Sequence, residues 1–429
     1  MEENLYTGEP AEGSRDFVLT RREVGALLAL AAGSALVGCG GRKGYVQMQR
    51  RLLGKTGLSV SVVGFGTEWM ERHTQSECNA VMRRCEEYGM NLLDCWSADP
   101  TLRDRIGRSL KGHREKWIIQ GHIGTTWQDG KYVRTRDVNA CRIAFDDLLH
   151  RFGTDSIEIG MVHCIDRPNE YADFESEPFQ SFLKELKSAG KIKFVGMSTH
   201  NPTTALAAAK SGLVDMVMFS INPAYDILPP IENVNQYYKD DAFDKALGGV
   251  AKERAELYRY CEQNGIGITV MKAFAGGRLF DPKRSPFQVA LSPVQCIHYA
   301  LTRPGVSAVL AGYDTVEQVD SAAHYAVATR WERNYARVLA EAPRHAYGAQ
   351  CTYCGHCSPC GRGLDIAMIG KLYDLASVQP KVPDTVREHY RALTHHAGEC
   401  VACHACETRC PFHVKVVERM KSAARLFGM

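Results

Sequence analysis

The sequence predicts a (β/α)8 barrel followed by a smaller α-helical domain rich in cysteine. Between about residues 58 and 325, short apolar runs alternate with helical segments eight times. Farther along the chain, eight of the sixteen cysteines fall between Cys351 and Cys410. The alternation indicates parallel strands joined by helices, and the clustered cysteines indicate metal ligation.

Each strand candidate is short and apolar and ends at a polar or glycine-containing turn. The candidates are residues 59–64, 91–95, 117–122, 157–164, 193–198, 215–221, 267–272 and 308–311. Proline near the start and glycine past the end punctuate the helices between them, as at Pro100 and Gly112. A doubly wound open sheet is the alternative, but its Gly-rich fingerprint is incomplete after the first strand. We therefore assign residues 46–340 to the barrel.

Composition is that of a soluble globular protein, with 45% hydrophobic and 24% charged residues among 429. The net charge of +3 is too small to indicate a nucleic-acid partner. We expect a small-molecule substrate.

The cysteines of residues 346–429 form two arrays. They read Cys351-Thr-Tyr-Cys354-Gly-His-Cys357-Ser-Pro-Cys360 and Cys400-Val-Ala-Cys403-His-Ala-Cys406-Glu-Thr-Arg-Cys410-Pro411. This is the spacing of a two-cluster ferredoxin, in which the last cysteine of each array ligates the other array's cluster. We predict two [4Fe–4S] clusters, one bound by Cys351, Cys354, Cys357 and Cys410, and the other by Cys400, Cys403, Cys406 and Cys360. Zinc sites and disulfides are the alternatives.

The N-terminus resembles a twin-arginine signal, which we place over residues 1–38. Arg21 and Arg22 precede an uncharged run over residues 24–38. The following Cys39 ends a stretch that resembles a lipobox, in which this cysteine would carry lipid. We expect export in the folded state to the periplasm, or a lipid anchor at Cys39, with the signal or anchor as the sole membrane contact. If the signal reading is wrong, the protein stays cytoplasmic.

Polar side chains stand at the carboxyl ends of six strand candidates, where barrel chemistry takes place. They are Asp94, His122, His163, Ser198, Asn222 and Lys272. Strand alternation puts Asp94 on one face and Cys95 on the other, and it likewise separates His163 from Cys164. We expect Cys95 and Cys164 to pack against helices.

Short motifs accompany the strand candidates. They are Leu53-Gly-Lys-Thr-Gly-Leu-Ser-Val-Ser61, Gly89-Met-Asn-Leu-Leu-Asp94, Met161-Val-His163, Val195-Gly-Met-Ser198, Met271-Lys-Ala-Phe-Ala-Gly-Gly277 and Leu310-Ala-Gly312. These motifs resemble the aldo/keto reductase family, and the cysteine tail resembles its iron–sulfur branch. The resemblance implies an NAD(P)H-dependent carbonyl reductase with an Asp, Tyr, Lys, His tetrad.

The resemblance carries over only part of that tetrad. Asp94 matches the aspartate and His163 the histidine, whereas Asp99 stands at the tyrosine position and His122 at the lysine position. A carboxylate is ordinarily ionised at neutral pH and cannot donate a proton as a phenol does. We predict a catalytic site that departs from the family tetrad, in which Asp94, Asp99, His122 and His163 carry the chemistry.

The cofactor positions are also partly retained. Under the resemblance, NAD(P) would contact Ser198, Asn222, Lys272, Gly276, Gly277 and Gly312. Met218 and Met271 replace an expected glutamine and an aromatic residue, and the loop after the last strand has no Arg or Lys for a 2′-phosphate. Hydride transfer moves two electrons and a cluster moves one, so a flavin is left open.

The sequence leaves two other function classes open. The missing tyrosine and lysine favour a non-catalytic electron-transfer or scaffold protein, for which a redox partner protein is expected. A metal-dependent hydrolase using Asp94, His122 and His163 lacks the His-x-His pair that such barrels carry on their first strand.

Overall fold

The computed structural model describes residues 45–243, 249–343, 347–377 and 381–429. The predicted signal segment, with Arg21, Arg22 and Cys39, lies outside the described residues. Residues Val46–Met429 form one compact unit. The division of this unit into a barrel and a separate cysteine domain stays a prediction.

Eight parallel strands close into a barrel in which neighbours in sequence are neighbours in space. They are β1 (Val63–Gly66), β2 (Leu92–Cys95), β3 (Ile118–Ile123), β4 (Ile157–Val162), β5 (Ile192–Thr199), β6 (Met216–Ser220), β7 (Gly267–Met271) and β8 (Val306–Gly312). β8 pairs with β1, from Val309 opposite Val63 to Gly312 opposite Gly66, which completes the ring. The predicted (β/α)8 barrel is therefore confirmed.

The first strand prediction was wrong in its bounds. Ser59–Ser61 pairs antiparallel with Arg50–Leu52 in a hairpin outside the barrel, and the barrel strand begins only at Val63. The backbone N–H of Lys55, within the hairpin, donates to the carbonyl of Gly265, just before β7. The hairpin thus contacts the amino-terminal end of the barrel, opposite to the end where the strands finish.

The helices lie between and beyond the strands. In chain order they are Gln75–Glu87, Pro100–Leu110, Val138–Phe152, Pro168–Glu175, Glu177–Ser188, Pro202–Ser211, Pro223–Asp226, Lys252–Asn264, Pro293–Leu301, Val316–Ala323 and Tyr335–Ala340, and then Ile366–Ser377, Asp384–Arg391, Ala405–Thr408 and Val416–Phe427. Among the described residues, none of these helices combines the length and the apolarity that crossing a bilayer requires.

Two apolar cores hold the barrel together. The inner core fills its interior with side chains from alternate strand positions, including Leu92, Ile159, Met216 and Leu310. The larger core lies between strands and helices and includes Cys95, as the strand alternation predicted. Burial of this apolar surface is the main force that stabilises the fold.

The cysteine-rich segment contacts the barrel through polar groups. Lys371 pairs with Glu262 at 2.8 Å. The buried guanidinium of Arg303 donates to the carbonyl of Thr352, which lies between Cys351 and Cys354. The loop of the first array is thereby held against the helix Pro293–Leu301 and the residues that follow it.

Candidate functional site

A cavity of about 980 Å³ opens at the carboxyl ends of the barrel strands. This is the end at which barrel enzymes place their active sites, and the volume suits a small ligand together with part of a cofactor. Its lining includes Asp94, His122, His163, Ser198 and Lys272. Five of the six polar strand-end residues singled out from the sequence therefore meet at one site.

A continuous chain of hydrogen bonds crosses the floor of the cavity. Asp94 Oδ1 lies 3.0 Å from Gln120 Nε2 and 3.1 Å from His122 Nε2. His122 Nδ1 lies 2.7 Å from His163 Nδ1, and His163 Nε2 lies 2.7 Å from the hydroxyl of Tyr132. The predicted residues Asp94, His122 and His163 are thus in contact, and Tyr132 joins them.

The proton positions along this row of hydrogen bonds follow from the groups at its two ends, Asp94 and Tyr132. A carboxylate oxygen accepts, so His122 donates from Nε2 and accepts at Nδ1. His163 then donates from Nδ1, which leaves its Nε2 to accept from the Tyr132 hydroxyl. Burial and the neighbouring His122 hold the pKa of His163 well below its usual range, so its imidazole stays neutral and able to accept.

Tyr132 was missed in the sequence. It lies on a β-hairpin formed by Thr125–Gln128 and Lys131–Arg134, which follows β3. The turn between these strands is Asp129-Gly130, both with positive φ, and Asp-Gly between alternating residues is a strong hairpin signal. That signal was available, but the hairpin belongs to no repeat of the strand–helix pattern.

Aromatic contacts fix the Tyr132 ring. Trp96 stacks on the His163 ring at a centroid distance of 5.5 Å, and meets the Tyr132 ring edge-on at 5.3 Å. Burial raises the pKa of Tyr132 to about 12. The phenol is therefore protonated at neutral pH and positioned at the cavity wall.

Asp99 does not line this cavity, contrary to its predicted catalytic place. Its carboxylate accepts a hydrogen bond of 2.7 Å from the backbone N–H of Leu102, as the N-cap of the helix Pro100–Leu110. A short acidic side chain directly before Pro100 is well suited to that role. Counting from Asp94 without a gap put Asp99 at the tyrosine position, but its side chain is used to cap the helix.

Of the six predicted cofactor residues, five line the cavity and one does not. Ser198, Lys272, Gly276, Gly277 and Gly312 line the cavity. Asn222 does not: its side chain accepts from the backbone N–H groups of Ala224 and Tyr225 and donates to the carbonyl of Lys272. Asn222 therefore caps the short helix Pro223–Asp226 and holds the end of β7.

Cys164 lines the cavity, although the strand alternation predicted that it packs against helices. β4 ends at Val162, and Cys164 adopts a left-handed conformation with φ of 48°. The alternation of faces applies only within a strand. The backbone N–H of Cys164 donates to the hydroxyl of Ser198 at 2.8 Å, which leaves the Ser198 proton for a ligand.

The eight cysteines of the two arrays divide between two separate cavities. One is lined by Cys351, Cys354, Cys357 and Cys410, and the other by Cys360, Cys400, Cys403 and Cys406. Each group therefore takes three cysteines from one array and the last cysteine of the other.

The two arrays have matching backbone conformations. Positive φ occurs at Tyr353 and Gly355 in the first array and at Ala402 and His404 in the second, two and four residues after the first cysteine. It recurs three residues after the last cysteine, and a helix begins six residues after it in both arrays. These left-handed residues curl each loop so that successive thiols face one cavity.

A family model described as "Aldo/keto reductase family" matches residues 62–292, more than half of the chain. L-galactose dehydrogenase of Arabidopsis thaliana is 23% identical over 310 residues, which are 64% of this chain and 86% of the plant protein.

Solved structures show the same fold. A putative aldo-keto reductase from Pseudomonas aeruginosa superposes with a TM-score of 0.51 and 25% identity, over 66% of this chain and 98% of that one. The holo form of an aldo-keto reductase from Bacillus halodurans gives a TM-score of 0.52 and 21% identity, over 67% and 94% of the two chains. On the match of the family model, the chain belongs to the aldo/keto reductase family of oxidoreductases.

Proposed function

We propose that the chain interconverts an alcohol and a carbonyl compound with a nicotinamide nucleotide, and that Tyr132 exchanges the proton with the substrate. The observation that carries this proposal is the hydrogen bond of 2.7 Å between the Tyr132 hydroxyl and His163 Nε2 at the cavity wall. The phenol that the family supplies from one loop is supplied here from another. The name of the plant relative makes sugars the first substrates to test.

The hydrogen-bond chain provides a path for the proton. When an alcohol is oxidised, its hydroxyl proton passes to the oxygen of Tyr132, while the phenolic proton of Tyr132 passes to His163 Nε2. His163 Nδ1 then releases its proton to His122, and His122 releases its own to Asp94. Carbonyl reduction runs the same path in reverse.

The cavity fits a nicotinamide nucleotide in part. The nucleotide, when bound, accepts the hydride of the alcohol or supplies one to the carbonyl. Ser198 keeps its hydroxyl proton for a carboxamide, and Gly276 and Gly277 leave open space beside the cavity, where a Cβ would meet no atom within 4 Å. Because the loop after β8 has no Arg or Lys for a 2′-phosphate, NAD(H) is the expected form.

Turnover measurements test this reaction. The purified chain is assayed anaerobically at 340 nm with NAD(H) or NADP(H), against hexoses, simple alcohols and the corresponding carbonyl compounds. Nucleotide-dependent turnover is the expected result. Absence of turnover together with absence of NAD(H) and NADP(H) binding would contradict the reaction, and would favour the non-catalytic electron-transfer protein.

We propose that the two cysteine cavities hold [4Fe–4S] clusters with crossed ligation. Four thiol groups around each cavity supply the number and type of ligand that a cubane needs. Backbone N–H groups of Arg362 and Val414 lie 3.4 Å from the sulfurs of Cys360 and Cys410, where they would stabilise thiolate charge. The clusters would exchange electrons with a redox partner protein.

Iron and sulfide analysis tests both the clusters and their ligation. The anaerobic wild-type protein should contain about eight iron and eight sulfide per chain. Cys351→Ser and Cys410→Ser should each remove the same cluster, so the double variant keeps about four iron. Cys406→Ser with Cys410→Ser should remove both clusters, although these two cysteines belong to one array.

Uncrossed ligation would give the opposite pattern, with Cys406→Ser and Cys410→Ser removing a single cluster. Zinc in place of iron would contradict the cluster proposal altogether. A flavin in the same preparation would show how two-electron and one-electron steps are joined.

A further inference from the structure

A second group of polar residues lies on the cavity wall, apart from the row of hydrogen bonds that runs from Asp94 to Tyr132. It consists of Cys164, Asp166 and His200, all buried and all lining the cavity. In the described part of the chain, these three form the one group of His, Cys, Asp or Glu residues whose donor atoms all lie within 4.8 Å of one another.

The two oxygens of Asp166 have different surroundings. Oδ1 accepts from the hydroxyl of Thr199 at 3.0 Å and from the backbone N–H of His200 at 2.7 Å. Oδ2 faces Cys164 Sγ at 3.4 Å, and His200 Nδ1 lies 3.1 Å from Oδ2 and 3.3 Å from Oδ1. Outer partners thus hold Oδ1, as in metal sites, while Oδ2 is the oxygen that also faces the sulfur.

The two ring nitrogens of His200 differ. Nδ1 faces Asp166, whereas Nε2 is buried without a hydrogen-bond partner and would carry the ring proton when a cation binds at Nδ1. Cys164 holds a left-handed conformation that a non-glycine residue adopts at a cost, a feature that concentrates at functional sites.

Arg134 occupies part of the space around the sulfur. Its Nη1 donates to Cys164 Sγ at 3.0 Å, so a cation that binds there must displace it. Arg134 also pairs with Glu170 at 2.7 Å, and it keeps that partner if another cation displaces it from the sulfur.

The spacing suits a small tetrahedral cation. Zinc lies about 2.0–2.3 Å from nitrogen, oxygen and sulfur ligands, so its tetrahedral ligand atoms lie roughly 3.3–3.7 Å from one another. The separations of 3.1 and 3.4 Å measured from Asp166 Oδ2 are close to these edges. A thiolate, an imidazole and a carboxylate together suit zinc, whereas calcium and magnesium prefer oxygen ligands alone.

We propose that Cys164, Asp166 and His200 bind one zinc-class divalent cation, whose fourth coordination position opens into the cavity. Binding releases the thiol proton of Cys164 to solvent and moves the ring proton of His200 from Nδ1 to Nε2. The open position takes a water or a substrate oxygen. The proposal does not depend on the nicotinamide reaction, because it concerns different residues and a different ligand.

Zinc binding to the intact protein tests the site. The full chain, purified anaerobically with its iron in place, is given one equivalent of zinc sulfate and desalted. We expect about one zinc per chain to remain. Zinc K-edge absorption, which is not obscured by iron, should show one sulfur at about 2.3 Å with nitrogen and oxygen at about 2.0–2.1 Å.

Variants separate this site from the other cysteines. Cys164→Ser and His200→Gln should each weaken zinc binding by more than about tenfold, the loss that removal of even an outer partner can cause. Cys95→Ser is the matched control and should bind as wild type, since Cys95 is a buried cysteine outside this group. Equal zinc retention in wild type and Cys164→Ser, no retained zinc, or a shell of three or four sulfurs would each overturn the proposal.

Discussion

His163, which is buried, and His298, which is partly buried, have surroundings that oppose protonation. His163 lies in the proton path, and burial and His122 lower its pKa well below the usual range. His298 lies on the helix Pro293–Leu301, with Nδ1 at 3.2 Å from the hydroxyl of Tyr325. Burial, followed by Arg333, Arg51 and Arg303, lowers the pKa of His298 to about 4. The side chains of His163 and His298 are therefore neutral in the folded protein at neutral pH.

His298 should make the protein less stable as the pH falls. Between pH 6.5 and about 4, His298 binds a proton in the unfolded chain but not in the folded protein. The free energy of unfolding consequently falls by up to about 1.4 kcal/mol per pH unit in this window, and the contribution is fully present above pH 6.5. His298→Gln keeps a polar side chain but cannot titrate.

Anaerobic melting curves at pH 7.0 and 5.5 measure this effect. The decrease in Tm should be smaller in His298→Gln than in wild type, whereas His150→Gln, at an exposed residue, should melt like wild type at both values. Equal decreases in wild type and His298→Gln would show that His298 does not cause the loss.

At the scale of elements, the ends of strands and helices decide which side chains enter the cavity. Asp94 and His122 enter because they lie within β2 and β3. Asp99 and Asn222 stand directly before helices. Their side chains accept hydrogen bonds from backbone N–H groups of those helices and are no longer available to a ligand. The same residue types thus serve either chemistry or capping, according to position.

Asp99 should therefore affect stability and not turnover. Asp99→Ala removes the acceptor for the N–H of Leu102 and should lower the free energy of unfolding by about 1 kcal/mol, within a range of about 0.5–2. Asp99→Asn keeps a good capping side chain and should be close to wild type in Tm. Loss of turnover in Asp99→Asn without loss of stability would return Asp99 to the catalytic group.

The regular part of the fold could be predicted from the sequence, and the irregular part could not. The alternating apolar runs located the barrel strands, because burial on both faces demands continuous apolar residues. The apolar run at residues 59–64 led to a wrong prediction of the first barrel strand, because a short apolar stretch does not distinguish a hairpin strand from a barrel strand. Tyr132 was missed for a related reason: nothing in the period of the pattern connects a hairpin after β3 with His163.

At the scale of the whole molecule, the cysteine-rich segment and the barrel share buried polar contacts. Arg303 donates to the Thr352 carbonyl, and the hydroxyl of Tyr335 donates to the same carbonyl at 2.9 Å. The carbonyl lies between two predicted ligands of one cluster. The loop of the first array is therefore held in place only when the barrel has folded.

We propose export through a twin-arginine signal, with a lipid anchor at Cys39. Replacing Arg21 and Arg22 together with Lys should leave the precursor in the cytoplasm, because the route requires the arginine pair. Cys39→Ala should release the exported protein from membranes. Cell fractionation measures both effects; normal export of the first variant, or unchanged membrane association of the second, would count against the respective half of the proposal.

Turnover of Tyr132→Phe is the most direct test of the account, because it removes one oxygen and leaves the ring against Trp96 in place. General acid–base catalysis contributes about 10²–10⁴-fold, so turnover should fall by that factor while the KM for the nucleotide stays near the wild-type value. Tyr171→Phe, on the helix Pro168–Glu175 and outside the cavity lining, is the control and should match wild type. Wild-type turnover in Tyr132→Phe, with unchanged iron content, would contradict the role of Tyr132 as the group that exchanges the proton.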